Sequence, residues 1–177
     1  MSDEKHDIDL RQKEIMQQFK EVTMQIWKEF VAKYSEPIKV KFKKLSPDAK
    51  EPVRATDGAA GWDLSAVSRK YVNPESILNM VQYRTGIAVE IPSGYVGLLF
   101  PRSSCYKKEL SLMNSVGVID SDYRGEISFI YKGVELYGQG DRIGQLVILP
   151  CPAVEFVKAE ELSETIRGTG GFGSTGK

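Results

Sequence analysis

Gly117-Val118-Ile119-Asp120-Ser121-Asp122-Tyr123-Arg124-Gly125 sets two carboxylates and a phenol in a bend bounded by glycine. A carboxylate placed there can activate water, and the tyrosine ring can stack on a sugar or a base. The same spacing also suits an Asx-type turn between two strands. Pro101-Arg102-Ser103-Ser104 lies where an apolar run ends and a short helix is expected. Such a junction presents unpaired backbone N–H groups beside a guanidinium and two hydroxyls, a possible oxyanion cradle. A plain cap by Ser103 or Ser104 is the alternative. Gln145 interrupts an otherwise apolar strand, Arg142 to Leu149, and a buried amide must find hydrogen-bond partners. Asp63, in Ala60-Gly61-Trp62-Asp63-Leu64, is polar where a strand begins; a cap, a salt bridge and a role beyond a metal's water ligands all remain open. The tail RGTGGFGSTGK, from Arg167 to Lys177, holds little to bury except Phe172 and is expected to be mobile when free. It matches most of the G-x-x-x-x-G-K pattern, but a true phosphate-binding loop also needs a preceding strand, a Ser or Thr after the lysine and a following helix. Its glycines, the hydroxyls of Ser174 and Thr175 and the Arg167 fork still suit contact with phosphate. An untethered C-terminus is the alternative.

Counting narrows the chemistry. The 177 residues contain one histidine, His6, and two cysteines, Cys105 and Cys151, with no CxxC. Ordinary Cys/His zinc sites and Ser–His–Asp or Cys–His machinery are therefore excluded unless His6 serves them. Lys+Arg and Asp+Glu balance at 24 each, which argues against general nucleic-acid binding. No apolar run nears the roughly 20 residues that span a bilayer, and the polar start MSDEKHDIDL has no apolar signal core. A cytoplasmic location and no membrane partner are expected. Carboxylates, hydroxyls, amides, arginines and a hard metal ion remain.

The elements that must position these groups fall into two regimes. Asp9 to Tyr34 has no Gly or Pro, and Ile15, Phe19, Val22, Ile26 and Phe30 share one helical face, widened by Met16, Trp27 and Val31. Ser35-Glu36-Pro37 stops the helix. This stripe is expected to pack on its own protein or within an oligomer, with an unknown partner or a coiled coil as the alternative. Glu14, Glu21 and Glu29 disfavour a membrane surface. From Ile38 onward the pattern is short strands and turns: 39–43, 62–66, 86–91, 95–100, 126–131, 142–149 and 154–158, with Ser103 to Leu110 the other helical candidate. An all-β sandwich or barrel is expected, and no βαβ alternation is present.

Taken in order, AAGWDL, PRSS, NSVGVIDSDYRGE, GDRIGQL and RGTGGFGSTG resemble the five motifs of the trimeric deoxyuridine triphosphatase (dUTPase) family, from about Ile38 to the C-terminus. The resemblance implies a distorted jelly-roll or β-barrel-like fold over 37–166, a glycine-rich lid over 167–177, and an added helical extension over 1–36. It implies a homotrimer with active sites shared between chains. The implied reaction is Mg²⁺-dependent hydrolysis of dUTP to dUMP and pyrophosphate, which limits uracil in DNA and supplies dUMP for dTTP synthesis. In that pattern Asp120 deprotonates the attacking water and Gln145 helps to position it. Arg102, Ser103 and Ser104 bind phosphates, and Asp63 holds Mg²⁺ through water. The hairpin from Asn114 to Ser128, with Gly117, Val118 and Ile119, accepts uracil, and Tyr123 packs against the deoxyribose and rejects a 2′-hydroxyl. Phe172 stacks over the base while Arg167, Gly173, Ser174 and Thr175 approach the phosphates. Trp62 is bulkier than the usual neighbour of the first-motif Asp, and Ser104 stands where many members have Gly; neither removes a functional group. The related dCTP deaminases carry a catalytic Glu where this chain has Ile130 and a Phe where it has Tyr123. A binding protein without turnover is disfavoured by retention of Asp120, Gln145, Arg102, Tyr123 and Phe172.

Overall fold

The computed structural model describes residues 2–72 and 80–171, and in the N-terminal helix the side chains of residues 11, 13–29 and 31. The uninterrupted helix-forming run becomes α1, Ser2–Ser35. Every described side chain along it is exposed, so the apolar stripe does not pack on its own chain as one of the expectations had it. Phe30, counted in that stripe, has its side chain outside the described residues.

Nine strands follow among the described residues: β1 (Lys41–Lys44), β2 (Trp62–Ser65), β3 (Ser68–Tyr71), β4 (Met80–Glu90), β5 (Tyr95–Phe100), β6 (Leu110–Leu112), β7 (Gly117–Ile119), β8 (Glu126–Gly133) and β9 (Arg142–Pro150). They form two antiparallel sheets. One runs β1-β4-β8-β6 with β3 also on β4, and the other runs β2-β9-β5-β7. The all-β expectation holds. Residues at alternate positions turn inward, and Leu64, Val81, Ile87, Ile127, Phe129 and Ile143 close the core between the sheets. Burial of such side chains supplies the main drive to fold.

The middle of β4 shows why one strand can serve two partners. Its first half pairs with β3 and its second with β1, and the register against β8 shifts between Arg84 and Ala88. Gly86 sits in that irregularity at φ +66, where a Cβ would also crowd the Ala49 methyl. Its N–H donates to Glu126 Oε1 at 2.7 Å and its carbonyl accepts from Leu45 N–H at 2.7 Å, so the bulge leaves neither group unpaired.

Several expected boundaries move. The helical stretch after β5 is a six-residue 3-10 helix, Ser103–Lys108, ended by Glu109 at φ 50. β3, β6 and β7 are short strands that alternation over three or four residues does not announce. The strand expected over 154–158 does not form. Cys151 to Ile166 runs exposed, with Phe156 98% and Leu162 89% accessible. A strand needs a neighbour for its backbone groups, and none of the described strands lies beside this arm. β1 was expected to be half-buried, yet all four of its residues are exposed. Phe42 instead lines an open apolar groove of about 670 Å³ with Ile38, Val40, Trp62 and Ile148.

An aromatic cluster fills one end of the core. Tyr83, Tyr131 and Tyr137 meet edge to face at 5.6–6.0 Å, and Phe129 stacks on Tyr131. Tyr131 Oη donates to Ile143 O at 2.6 Å, and Tyr83 Oη accepts from Tyr137 N–H at 3.1 Å. The Tyr137 hydroxyl is buried with no partner among the described residues. Burial pushes the pKa of all three phenols up from the ordinary value. The folded protein therefore holds these protons more tightly than the unfolded chain, whose tyrosines ionise near pH ~10. Their contribution to stability is complete below about pH 10 and is lost as pH rises above it. The urea midpoint should fall steeply across that range, and less so for Tyr137→Phe, which should be at least as stable as the parent at pH 7.

Candidate active site

β2, β9 and β5 are neighbours, and their register sets Asp63 opposite Gln145 and Gln145 opposite Phe100. The chain leaves β5 one residue later, so Pro101 and Arg102 emerge beside Gln145. Arg102 Nε donates to Asp63 Oδ1 at 3.1 Å, and Arg142 Nη1 donates to Asp63 Oδ2 at 3.0 Å. The Asp63 side chain is only 10% exposed. One carboxylate thus bridges two guanidinium groups in a partly desolvated place, where charge-assisted bonds are strong and specific in direction.

A register slip makes this possible. β9 carries an extra residue against β2, so Gly144 faces Leu64 but Arg142 faces Ser65. Strict alternation would send residues 142 and 145 to opposite faces. The bulge at Ile143 returns Arg142 to the Asp63 side. Nothing in GDRIGQL marks Arg142 as a site residue, because the bulge that turns it toward Asp63 leaves no mark in the string.

Gln145 Nε2 donates to Pro101 O at 3.3 Å. Gly61 lies against the amide, and a Cβ there would overlap Gln145 Oε1. The glycine before Trp62 therefore serves the glutamine across the sheet. Asp63, Arg102, Ser104, Lys108 and Arg142 line a polar basin of about 510 Å³. The cap of the 3-10 helix is Arg102 and makes no side-chain cap bond, so the capping role considered for Ser103 and Ser104 is not adopted. Ser103 is exposed and Ser104 half-buried; Ser104 lines the basin, and Ser103 is not among its lining residues.

The second candidate region lies elsewhere. Asp120 follows β7, the far edge of the same sheet, and is exposed. Its backbone carbonyl accepts from Tyr123 N–H at 3.1 Å, so the bend is closed by backbone rather than by the Asp120 carboxylate of an Asx turn. The Tyr123 ring lies over Gly125, where a Cβ would overlap its hydroxyl, and that hydroxyl donates to Glu126 O at 3.1 Å. Ser115 takes φ 57 in the turn before β7, and a Cβ on Gly117 would press on Leu99 and Asn114. Asn114 and Val118 are exposed, whereas Ile119 is buried in the core and offers only its backbone. Ser128 stands apart in β8, with its hydroxyl accepting from Gln82 Nε2 at 3.0 Å. Arg167 sits on the exposed arm and donates to Gly170 O at 2.9 Å. Phe172, Gly173, Ser174 and Thr175 lie outside the described residues.

Sheet geometry fixes the separation of the two regions. Asp120 aligns with Val96, four residues along β5 from Phe100, which faces Gln145. Two strand spacings of about 4.8 Å and four rises of about 3.3 Å put Gln145 and Asp120 roughly 16 Å apart, too far for both side chains of one chain to meet at one atom.

As for a metal ion, the described residues contain no group of three His, Cys, Asp or Glu able to hold one. A Mg²⁺ ion keeps several waters and takes phosphate oxygens as ligands, so a carboxylate can hold it through a water. Each Asp63 oxygen accepts one guanidinium N–H and retains a second acceptor site for a water.

Asp63→Ala should leave two guanidinium groups facing each other without a counterion. Urea unfolding should show a loss of roughly 2–4 kcal/mol, below the cost of breaking a fully buried pair because Arg142 is half exposed.

Comparison with known proteins gives a consistent picture. Residues 48–176 match the family model described as dUTPase. The deoxyuridine 5'-triphosphate nucleotidohydrolase of Hydrogenobaculum sp. is 45% identical over 144 residues, covering 78% of this chain and 99% of that protein. Its counterpart in Desulfitobacterium hafniense is 46% identical over 145 residues, covering 78% and 95%. Among solved structures, the dUTPase of Staphylococcus bacteriophage 80alpha with dUPNHPP superposes with a TM-score of 0.66 at 29% identity, over 78% of this chain and 99% of that one. A mutant dUTPase from phage phi11 of S. aureus, described with a structural Mg(II) ion, gives 0.59 at 27% identity over 70% and 97%.

Proposed function

The chain belongs to the dUTPase family, and from that premise we propose that it hydrolyses dUTP to dUMP and pyrophosphate by attack of water on the α-phosphate. The observation that carries the reading is the Asp63-anchored cradle, in which Arg102 is held in a fixed direction beside the Gln145 amide. In-line displacement at phosphorus needs an aligned nucleophile and neutralised phosphate charge more than it needs covalent chemistry. Asp120 takes one proton from water, the water oxygen bonds to the α-phosphorus, and the bond from that phosphorus to the α–β bridging oxygen breaks. Pyrophosphate leaves with the bond's electron pair. Gln145 orients the water, and Arg102 with Ser103 and Ser104 meets the charge that develops on the phosphates. Bound Mg²⁺ would lower the negative charge of the triphosphate and fix its shape; Asp63 would hold one of its water ligands while anchoring Arg102.

The hairpin from Asn114 to Ser128 is proposed to read uracil through backbone groups. The thymine methyl finds no room there, and cytosine presents the wrong donor and acceptor pattern. Tyr123, packed over Gly125, is proposed to face the deoxyribose and exclude a 2′-hydroxyl. The glycine-rich tail, with Phe172 on the base and Arg167, Gly173, Ser174 and Thr175 at the phosphates, is proposed to close the site and exclude water. Removal of dUTP would limit uracil in DNA, and the dUMP formed would feed dTTP synthesis.

The separation of about 16 Å between Gln145 and Asp120, set by strand spacing and rise, supports a site shared between copies. A homotrimer is proposed, in which Asp120 and Tyr123 of one copy complete the cradle of the next. The exposed arm from Cys151 onward is long enough to carry the tail to another copy.

Asp120→Asn should keep dUTP binding and lower turnover by about 10²–10⁴-fold in a pyrophosphate-release assay; a near-normal rate would remove Asp120 as the base. A Gln145→Ala chain should be similarly inactive. Unfolded together in equal amounts and refolded, the two inactive chains should recover about one quarter of normal activity, because random assembly restores that share of mixed sites. No recovery would mean that each chain holds its own complete site.

A further inference from the structure

The hairpin that carries Asp120 and Tyr123 crosses between the sheets, leaving β7 at Ile119 and joining β8 at Glu126. We propose that Glu126 is a positioning residue for sugar selection: its clamped backbone fixes the tilt of the Tyr123 ring, and that tilt decides between deoxyribose and ribose. The inference rests on the reading of Tyr123 given above and adds the groups that hold the ring in place.

Packing alone does not fix Tyr123, which is 43% exposed. Hydrogen bonds at its two ends do. Its N–H donates to Asp120 O at 3.1 Å, and its hydroxyl donates to Glu126 O at 3.1 Å. Gly125 leaves the space in which the ring lies between those two points. The phenol proton is thus committed to the protein, and exclusion of a 2′-hydroxyl falls to the ring itself. A ring free to change rotamer would open that space.

Glu126 O is a fixed point because the Glu126 carboxylate is held by three donors. Its side chain is only 17% exposed. Oε2 accepts from Arg84 Nε at 2.7 Å and from Arg84 Nη2 at 2.6 Å, and Oε1 accepts from Gly86 N–H at 2.7 Å. Charge-assisted bonds of this length are strong and directional. Gly86 lies at φ +66 where the register of β4 against β8 slips, so the carboxylate supplies the acceptor for its N–H. The same irregularity grips the next residue of β8, since the buried Thr85 Oγ1 donates to Ile127 O at 2.7 Å. The bulge in β4 therefore fixes the point at which the hairpin lands.

The neighbouring Arg124 has a different part. It donates to Ser121 O and Tyr123 O, which closes the bend on itself. The side-chain tie from the hairpin's end to β4 runs through Glu126. Both Glu126 oxygens are engaged by donors of β4, so Glu126 acts through Tyr123 and not on the substrate.

The test compares kcat/KM for dUTP with kcat/KM for UTP by pyrophosphate release, on chains shown by urea unfolding to be folded. Glu126→Gln sets an amide donor against the Arg84 guanidinium and should lower the preference for dUTP about tenfold, the usual worth of one hydrogen bond. Tyr123→Phe keeps the ring, removes the hydroxyl and should lower the preference by a similar factor. The two together should lower it about tenfold in total and not about a hundredfold, because both act through one bond. If Glu126→Gln does not fold, Arg84→Met paired with Tyr123→Phe completes the same cycle. An unchanged preference in a folded single variant overturns the proposal, and so does a loss that multiplies in the double variant. A parent chain that leaves dUTP intact, or cleaves UTP as readily, overturns the reading of the site and this inference with it. A selective parent whose variants stay equally selective overturns this inference alone.

Discussion

One carboxylate organises the polar basin of this protein. Asp63 is nearly buried at the edge of a sheet, and its two oxygens each accept a guanidinium N–H, from Arg102 and Arg142. Removing a carboxylate from water is costly unless it is paired and bonded, and here both oxygens are bonded. In return the two arginines lose their freedom. Arg102 would otherwise be a long flexible side chain at the start of a short 3-10 helix that has no side-chain cap of its own. Held by Asp63, it becomes a fixed positive group beside the Gln145 amide.

The rest of the fold protects that arrangement. Gly61 clears the space that the Gln145 amide occupies, and Gly144 lets β9 approach the Phe129 ring, where any Cβ would overlap it. The bulge in β9 then brings Arg142 round to Asp63. These are requirements of close approach rather than of chain flexibility. They explain why three short segments distant in sequence must fold together before any of their polar groups is useful.

The same sheet that builds the cradle also separates it from Asp120. β9 and β5 lie between β2 and β7, so rigid strand spacing keeps the two carboxylates apart within one chain. The proposed shared site would join the two regions through assembly, and several features of the single chain suit that proposal. The arm beyond β9 exposes Phe156 and Leu162, and the groove beside Phe42 and Trp62 is apolar and open. Each is a costly surface for an isolated chain, and the proposed assembly would remove such surface from water.

The sequence by itself determined much of the chemistry. The single histidine and the unpaired cysteines excluded whole classes of site. Strand-like alternation punctuated by Gly and Pro announced an all-β body, and the helical period of residues 9–34 announced α1. The five motifs in order pointed to the family, because residue types and spacing are properties of the string. What the string could not hold was decided by tertiary structure. Arg142 joined Asp63 only through a bulge that reverses its face, and β7 formed only because β5 offered an edge. The arm at 154–158, with suitable alternation, stayed extended for want of a neighbour. Asp120 and Gln145 are both proposed to carry reaction chemistry, yet their distance depends on which strands lie between them. Local pattern follows from side chains and their period; partners, register and separation follow from packing, which exists only once the sheets have closed.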